Sequence, residues 1–172
     1  MYDIITQAIG IVAAAATIFS YQFKENKTLF LLQGVGGLLF AVNFFMLGSY
    51  TAAVFNFVNL FRGAILAFGG KRLRGAWMGV AFSVAYTVIA ILSYDSWLSI
   101  LILVAQLAST VTLWSQNRKW IRWGQMAIVS PAWLTNNIVC FSLGGIITEV
   151  FCFLSALVFL IRYRGGFGEK TE

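Results

Sequence analysis

The chain has 172 residues, of which 60% are apolar and 10% charged, with a mean hydropathy of +0.84 and a net charge of +6. A soluble domain carries roughly 25% charged residues, so this composition excludes a soluble globular fold and places the chain in a bilayer. The excess of Lys and Arg would otherwise indicate a nucleic-acid or acidic partner; the positive-inside rule acting on short loops accounts for it instead, and no nucleic-acid binding is expected.

In chain order the apolar runs predict seven spans: Ile4 to Tyr21, Thr28 to Leu47, Thr51 to Gly69, Ala76 to Ser93, Trp97 to Trp114, Trp120 to Phe141 and Gly145 to Ile161. Each is close to the length that crosses roughly 30 Å of hydrocarbon. Met1 opens almost directly into the first span with no basic n-region and no A-x-A site, so no cleaved signal peptide is expected. Lys24 and Lys27 follow the first span, Lys71, Arg72 and Arg74 the third, Arg118, Lys119 and Arg122 the fifth, and Arg162, Arg164 and Lys170 the seventh. The opposite loops, Gly48 to Tyr50, Tyr94 to Ser96 and Ser142 to Gly144, hold no Lys or Arg and only Asp95. This asymmetry predicts an outside N-terminus and a cytoplasmic C-terminus. Cys140 and Cys152 fall on consecutive spans about nine residues apart in depth, too far for a disulfide.

The odd number of spans points to a repeat. Leu47 to Phe57 aligns with Leu143 to Phe153 at an offset of 96, and Ser20 to Lys24 aligns with Ser115 to Lys119 at one residue less. The first three spans then recur as the last three. The expected architecture is all-α: two parallel three-helix bundles, residues 1–70 and 96–164, joined by an inversion linker helix within 71–95, with a polar tail at 165–172. Such bundles are related by an axis along the membrane normal.

Polar side chains inside spans normally face a bundle interior or a wet cavity. Asn56, Asn59 and Arg62 recur every three residues in the third span, and the 96-residue offset sets Ala53, Asn56 and Asn59 against Glu149, Cys152 and Ser155. Glu149 is the acid deepest in any span; with no cation near, it is expected to be protonated or strongly hydrogen-bonded, and to act as a proton-coupling group or polar switch. Asn43, Asn136 and Asn137 form a candidate polar layer at its depth, with Asn56, Gln106 and Trp133 about one turn deeper. Arg62, nearer the cytoplasmic end, is expected to snorkel. Pro131 interrupts the sixth span, and Gly36 lies in the glycine-rich stretch of the second, so both are candidate hinges at matching places.

The stretch Ser20-Tyr21-Gln22-Phe23-Lys24-Glu25-Asn26-Lys27, the Leu47-Gly48 corner, the span from Asn56 to Arg62 and the run from Glu149 to Arg162 resemble the YgjV-type bacterial inner membrane proteins across nearly the whole chain. More distantly, Ser20 to Lys27 is similar to the PQ-loop of SWEET-like transporters, whose 3+1+3 plan is the same. The chain departs from those patterns at Tyr21, where a PQ-loop has proline, at Asn43, where many YgjV-type sequences are expected to carry His, and in having one proline rather than a tetrad. The resemblance implies a multi-pass protein of the bacterial inner membrane.

Catalytic and metal signatures are absent from the sequence: there is no His, no H-E-x-x-H and no pair of intramembrane carboxylates. Neither an enzyme nor a cofactor or metal site is expected, and Gly165-Gly166-Phe167-Gly168 reads as a flexible end. The expected function is to bind or move a small polar, neutral solute, the scarcity of cavity charge arguing against strongly anionic cargo. Asn43, Asn56, Asn59, Gln106, Trp133, Asn136 and Asn137 are the candidate binding residues. The competing expectation is a non-transporting scaffold or assembly factor whose inward polar groups pair with one another. The partners expected are the bilayer and the solute, and a homo-oligomer is compatible with the sequence.

Overall fold

The computed structural model of the chain describes residues 2–20, 26–70, 72–115 and 117–164. Tyr21, Gln22, Phe23, Lys24, Glu25, Lys71, Gln116 and the glycine-rich tail with Lys170 lie outside them. The described residues are helical with no strand: α1 (Tyr2–Ser20), α2 (Asn26–Met46), α3 (Tyr50–Phe68), α4 (Ala76–Leu92), α5 (Trp97–Trp114), α6 (Arg118–Gly124), a π-helical turn (Gln125–Val129), α7 (Ser130–Val139) and α8 (Leu143–Arg164). Three helices, Tyr50–Phe68, Trp97–Trp114 and Leu143–Arg162, are long and apolar enough to cross a membrane by length and composition; Ile4–Ser20, Leu32–Met46 and Ala76–Leu92 are shorter apolar helices.

The helices form a bundle whose chemistry is inverted relative to a soluble protein. Its surface carries exposed Ile4, Phe19, Val80, Ile91, Leu92, Val111 and Ile161, whereas Asn43, Gln106, Thr110, Asn136, Asn137 and Ser130 are fully buried. Sequential helices are neighbours. α2 packs between α1 and α3, and the rod formed by α6, the π-turn and α7 packs between α5 and α8. Contacts of α1 with α8 close the bundle on one side. On the other, α3 touches α5 and α4 packs against both.

The sixth predicted span is one rod in three pieces, and proline explains the break. Pro131 has no N–H, and its ring crowds the carbonyl four residues back. The preceding turn widens so that the Ser130 N–H reaches the Gln125 carbonyl, a π-type bond of the kind that clusters at functional sites. By contrast α2 runs unbroken through its glycines. Gly36 lets α1 approach: a Cβ built on it would overlap the Thr17 hydroxyl.

The corners after α2 and α7 are built alike. After α2 the N–H groups of Leu47, Gly48 and Ser49 bond the carbonyls of Asn43, Phe45 and Phe44 at 3.0, 3.2 and 3.0 Å; after α7 those of Cys140, Phe141 and Ser142 bond Asn136, Ile138 and Asn137 at 2.9, 3.2 and 2.9 Å. Both corners are Schellman-type caps with the left-handed residue just past the helix. That residue is Gly48 (φ +77°) in one and Phe141 (φ +56°) in the other. The corners therefore correspond at an offset of 93 (Gly48 to Phe141), not at the 96 that aligned Gly48 with Gly144. Phe141 holds a position that glycine usually fills, with the Gln7 side chain donating to its carbonyl and accepting from the Leu143 N–H. Gly144 serves another purpose, the α1–α8 contact, where a Cβ would run into the Gly10 carbonyl. At the other ends of α1 and α5, Thr17 and Ser20 bond the Ala13 and Thr17 carbonyls just as Thr112 and Ser115 bond those of Ala108 and Thr112.

Candidate functional site

A polar cavity of about 190 Å³ lies at the centre of the bundle. α2 contributes Phe40 and Phe44, α3 Asn56, Asn59 and Arg62, and α5 Gln106 and Ser109. The π-turn adds Gln125 and Val129, α7 Trp133 and Asn137, and α8 Gly145, Thr148 and Glu149. Helices α1 and α4 stay outside this ring, although α4 reaches its wall through Tyr86, whose hydroxyl donates to Asn59 Oδ1 at 2.7 Å.

Six of the sequence candidates meet here: Asn56, Asn59, Gln106, Trp133, Asn137 and Glu149. Asn43 and Asn136 do not line the cavity. Asn43 is fully buried in the seam between α1, α2 and the corner after α7, donating to the Thr6 carbonyl at 2.7 Å and accepting from the Ser142 hydroxyl at 2.8 Å. Asn136, 93 positions later, is equally buried and accepts from the Cys140 thiol at 3.9 Å. Pro131 acts one step from the wall by setting the π-turn that presents Gln125 and Val129. Cys152 and Ser155, matched to Asn56 and Asn59 by the 96-residue offset, are not among the lining residues. The corner register pairs Asn56 with Glu149, Phe40 with Trp133 and Phe44 with Asn137 instead, and both members of each pair line the cavity. No disulfide joins Cys140 and Cys152.

Three lining residues keep a buried side-chain atom without a hydrogen bond, as does Asn136, off the cavity, through Nδ2. Gln106 Nε2, Asn137 Oδ1 and Glu149 Oε2 are buried atoms with no hydrogen bond. They come from three different helices and comprise one donor and two acceptor positions. Buried polar atoms are otherwise almost always paired, because an unmade hydrogen bond costs roughly 1–3 kcal/mol. Ser130, the first residue of α7, lies beside the Glu149 carboxyl, and Gln125 Nε2 of the π-turn donates to Ser130 Oγ at 2.8 Å. An aromatic wall closes one side, with Phe44 and Trp133 ring centroids 5.8 Å apart.

Arg62 corrects the sequence reading. It does not snorkel: it is 8% exposed, lines the cavity, and donates from Nη1 to Thr110 Oγ1 at 2.9 Å and from Nη2 to Ser109 Oγ at 3.2 Å. Its guanidinium also lies 5.5 Å from the centre of the Tyr86 ring. The three-residue spacing Asn56, Asn59, Arg62 was the signal that it shares their face; its nearness to the helix end hid the consequence. Tyr86 and the π-turn glutamine, Gln125, were missed as wall residues, and neither stands out by spacing.

Helices with an apolar outer surface around a cavity lined by amides, a carboxyl group and a guanidinium define a membrane-embedded helical bundle with a polar interior. A family model for bacterial inner membrane proteins, Imp-YgjV, matches residues 4–165, and the chain belongs to that family. No curated protein and no solved structure matches the chain.

Proposed function

We propose that the chain is a seven-span inner-membrane protein that binds, and by its architecture moves, a small polar solute held in the central cavity. The observation that carries this reading is that Gln106, Asn137 and Glu149, from three helices, line one polar cavity and each keeps a buried side-chain atom unpartnered. A scaffold with mutually paired polar groups has no use for that arrangement.

The matching hydrogen-bond patterns of the two outer corners, and of the inner ends of α1 and α5, support a 3+1+3 plan. In it α1–α3 and α5–α8 are parallel repeats and α4 is the linker. The basic loops support a cytoplasmic C-terminus and an outside N-terminus. Exposed Trp77, Trp120 and Trp123 beside the basic segments, and Tyr50, Tyr94 and Trp97 at the opposite ends, fit the two aromatic belts of a spanning bundle. In this frame the π-turn beside Pro131 is the irregular mid-membrane backbone that repeat-built transporters place next to their cargo.

Cysteine access is the test. With Cys140 and Cys152 replaced by Ala, single cysteines at Asn56 and Trp133 should react with a small membrane-impermeant thiol reagent from one side. Solutes that occupy the cavity should slow the reaction. If neither position reacts from either side in a folded protein, the cavity is closed and the solute-binding reading fails.

A further inference from the structure

We infer that the cavity recognises a small solute bearing a carboxylate, which Arg62 holds; this rests on the solute-binding reading and replaces the neutral cargo expected from composition. Arg62 is a buried cation with no anionic partner. No ion pair is formed with Glu149 or any other acid among the described residues, and the two partners of the guanidinium, Ser109 and Thr110, are neutral hydroxyls. A hydroxyl satisfies an N–H without compensating the charge, and buried charges are ordinarily paired. Guanidinium carries five N–H donors in a planar fork, and these two bonds use one donor on each terminal nitrogen.

The other ionisable groups near the site do not take the counter-ion's place. Tyr86 meets the guanidinium through its ring and spends its hydroxyl on Asn59. Glu149 lies beside Ser130 at the start of α7. The corner register sets Asn56 level with Glu149 and Arg62 six residues further along α3, about 9 Å at 1.5 Å per residue. A neutral polar layer and a cationic end thus share one space. A planar carboxylate matches the fork in a two-point contact. The cavity, roughly six water volumes at ~30 Å³ each, admits a short hydroxy or amino acid whose second polar group faces Asn56, Asn137 and Glu149.

The experiment uses matched carboxylate and amide pairs on the purified full-length protein: lactate against lactamide and propionate against propionamide. Erythritol and inorganic phosphate are included, and chloride keeps ionic strength constant. Thermal stability is read against concentration, because a ligand that binds only the folded state raises it. Lactate should raise stability with a half-effect concentration about tenfold or more below that of lactamide. The difference should vanish in Arg62→Gln and persist in Arg72→Gln, an exposed arginine. Should Arg62→Gln fail to fold, the matched pairs on the unaltered protein decide alone. If amide and polyol stabilise as well as carboxylate, and Asn56→Ala abolishes the effect, the solute cavity stands and the carboxylate assignment falls. Stronger stabilisation by phosphate than by either carboxylate also overturns it, and no response to any probe overturns both this inference and the reading beneath it.

Discussion

Asn43 separates the two roles that a buried amide can play in such a bundle, and replacing it by Ala tests which role it has. Its side chain makes two long-range hydrogen bonds, to the Thr6 carbonyl on α1 and from the Ser142 hydroxyl at the corner after α7. Loss of two buried bonds at about 0.5–1.5 kcal/mol each amounts to roughly 1–3 kcal/mol, with the lower end set by the ~0.6 kcal/mol average for bonds between membrane helices. On the scale of about 2–4 °C per kcal/mol for chains of this size, the melting temperature should fall by roughly 2–12 °C. The assay is thermal unfolding of the purified protein beside Asn56→Ala, whose amide bonds only the Ala52 carbonyl of its own helix at 3.0 Å. Asn43→Ala should melt lower than Asn56→Ala while keeping its response to cavity solutes. The assignment of Asn43 to the seam is refuted if the variant keeps full stability and loses that response.

Gly144→Ala pushes a Cβ into the Gly10 backbone, where no rotamer change gives relief, so a loss of at least about 1–3 kcal/mol is expected, seen as a lower melting temperature; an unchanged one shows the α1–α8 approach to be looser than described. Tyr86→Phe removes the 2.7 Å bond to Asn59 but keeps the ring beside Arg62; it should cost about 0.5–1.5 kcal/mol, and a cost near zero by the same assay contradicts a paired Asn59. Pro131→Ala restores an N–H and removes the ring that widens the π-turn. It should hold or raise thermal stability while weakening the solute response, since Gln125 and Val129 then leave the wall; an undiminished response argues that the π-turn does not shape the site.

Much of the architecture was legible because two rules are nearly obligatory in a bilayer: spans must be long and apolar, and polar side chains must turn inward. Those rules brought Asn56, Asn59, Gln106, Trp133, Asn137 and Glu149 to attention, and the structure gathers all six around one space. They do not distinguish a cavity from a seam between helices. Asn43 faces inward too, but toward α1 and the corner after α7, and Asn136 is buried off the cavity, differences of rotation about the helix axis that depth cannot supply. The register error has a different cause. Leu47-Gly48 and Leu143-Gly144 look alike in sequence, yet one glycine turns a corner and the other admits a neighbouring helix. The left-handed position of the second corner belongs to Phe141, which nothing in its local sequence announces. Arg62 was misplaced because a cation near a span end usually reaches for water; that it turns to Ser109 and Thr110 depends on α5, a helix remote in sequence.

Once the register is set by the corners, the chemistry of the cavity has a direction. Phe40 and Phe44 of α2 stand where α7 has Trp133 and Asn137, and Asn56 of α3 stands where α8 has Glu149. Under the proposed repeat the frame is twofold but the lining is not. The second half brings the unpartnered amides, the carboxyl and Trp133, while the first half brings Phe40, Phe44 and the lone guanidinium. A solute with identical ends gains nothing from such a lining, because one of its ends would always meet the wrong partner. Under the proposed reading, a solute with one anionic and one neutral or cationic end matches it in a single orientation, carboxylate toward the C-terminal half of α3 and the other polar group toward the π-turn. Orientation then follows from differential contacts rather than from shape, as specificity does where buried polar groups would be left unpaired by the reversed pose.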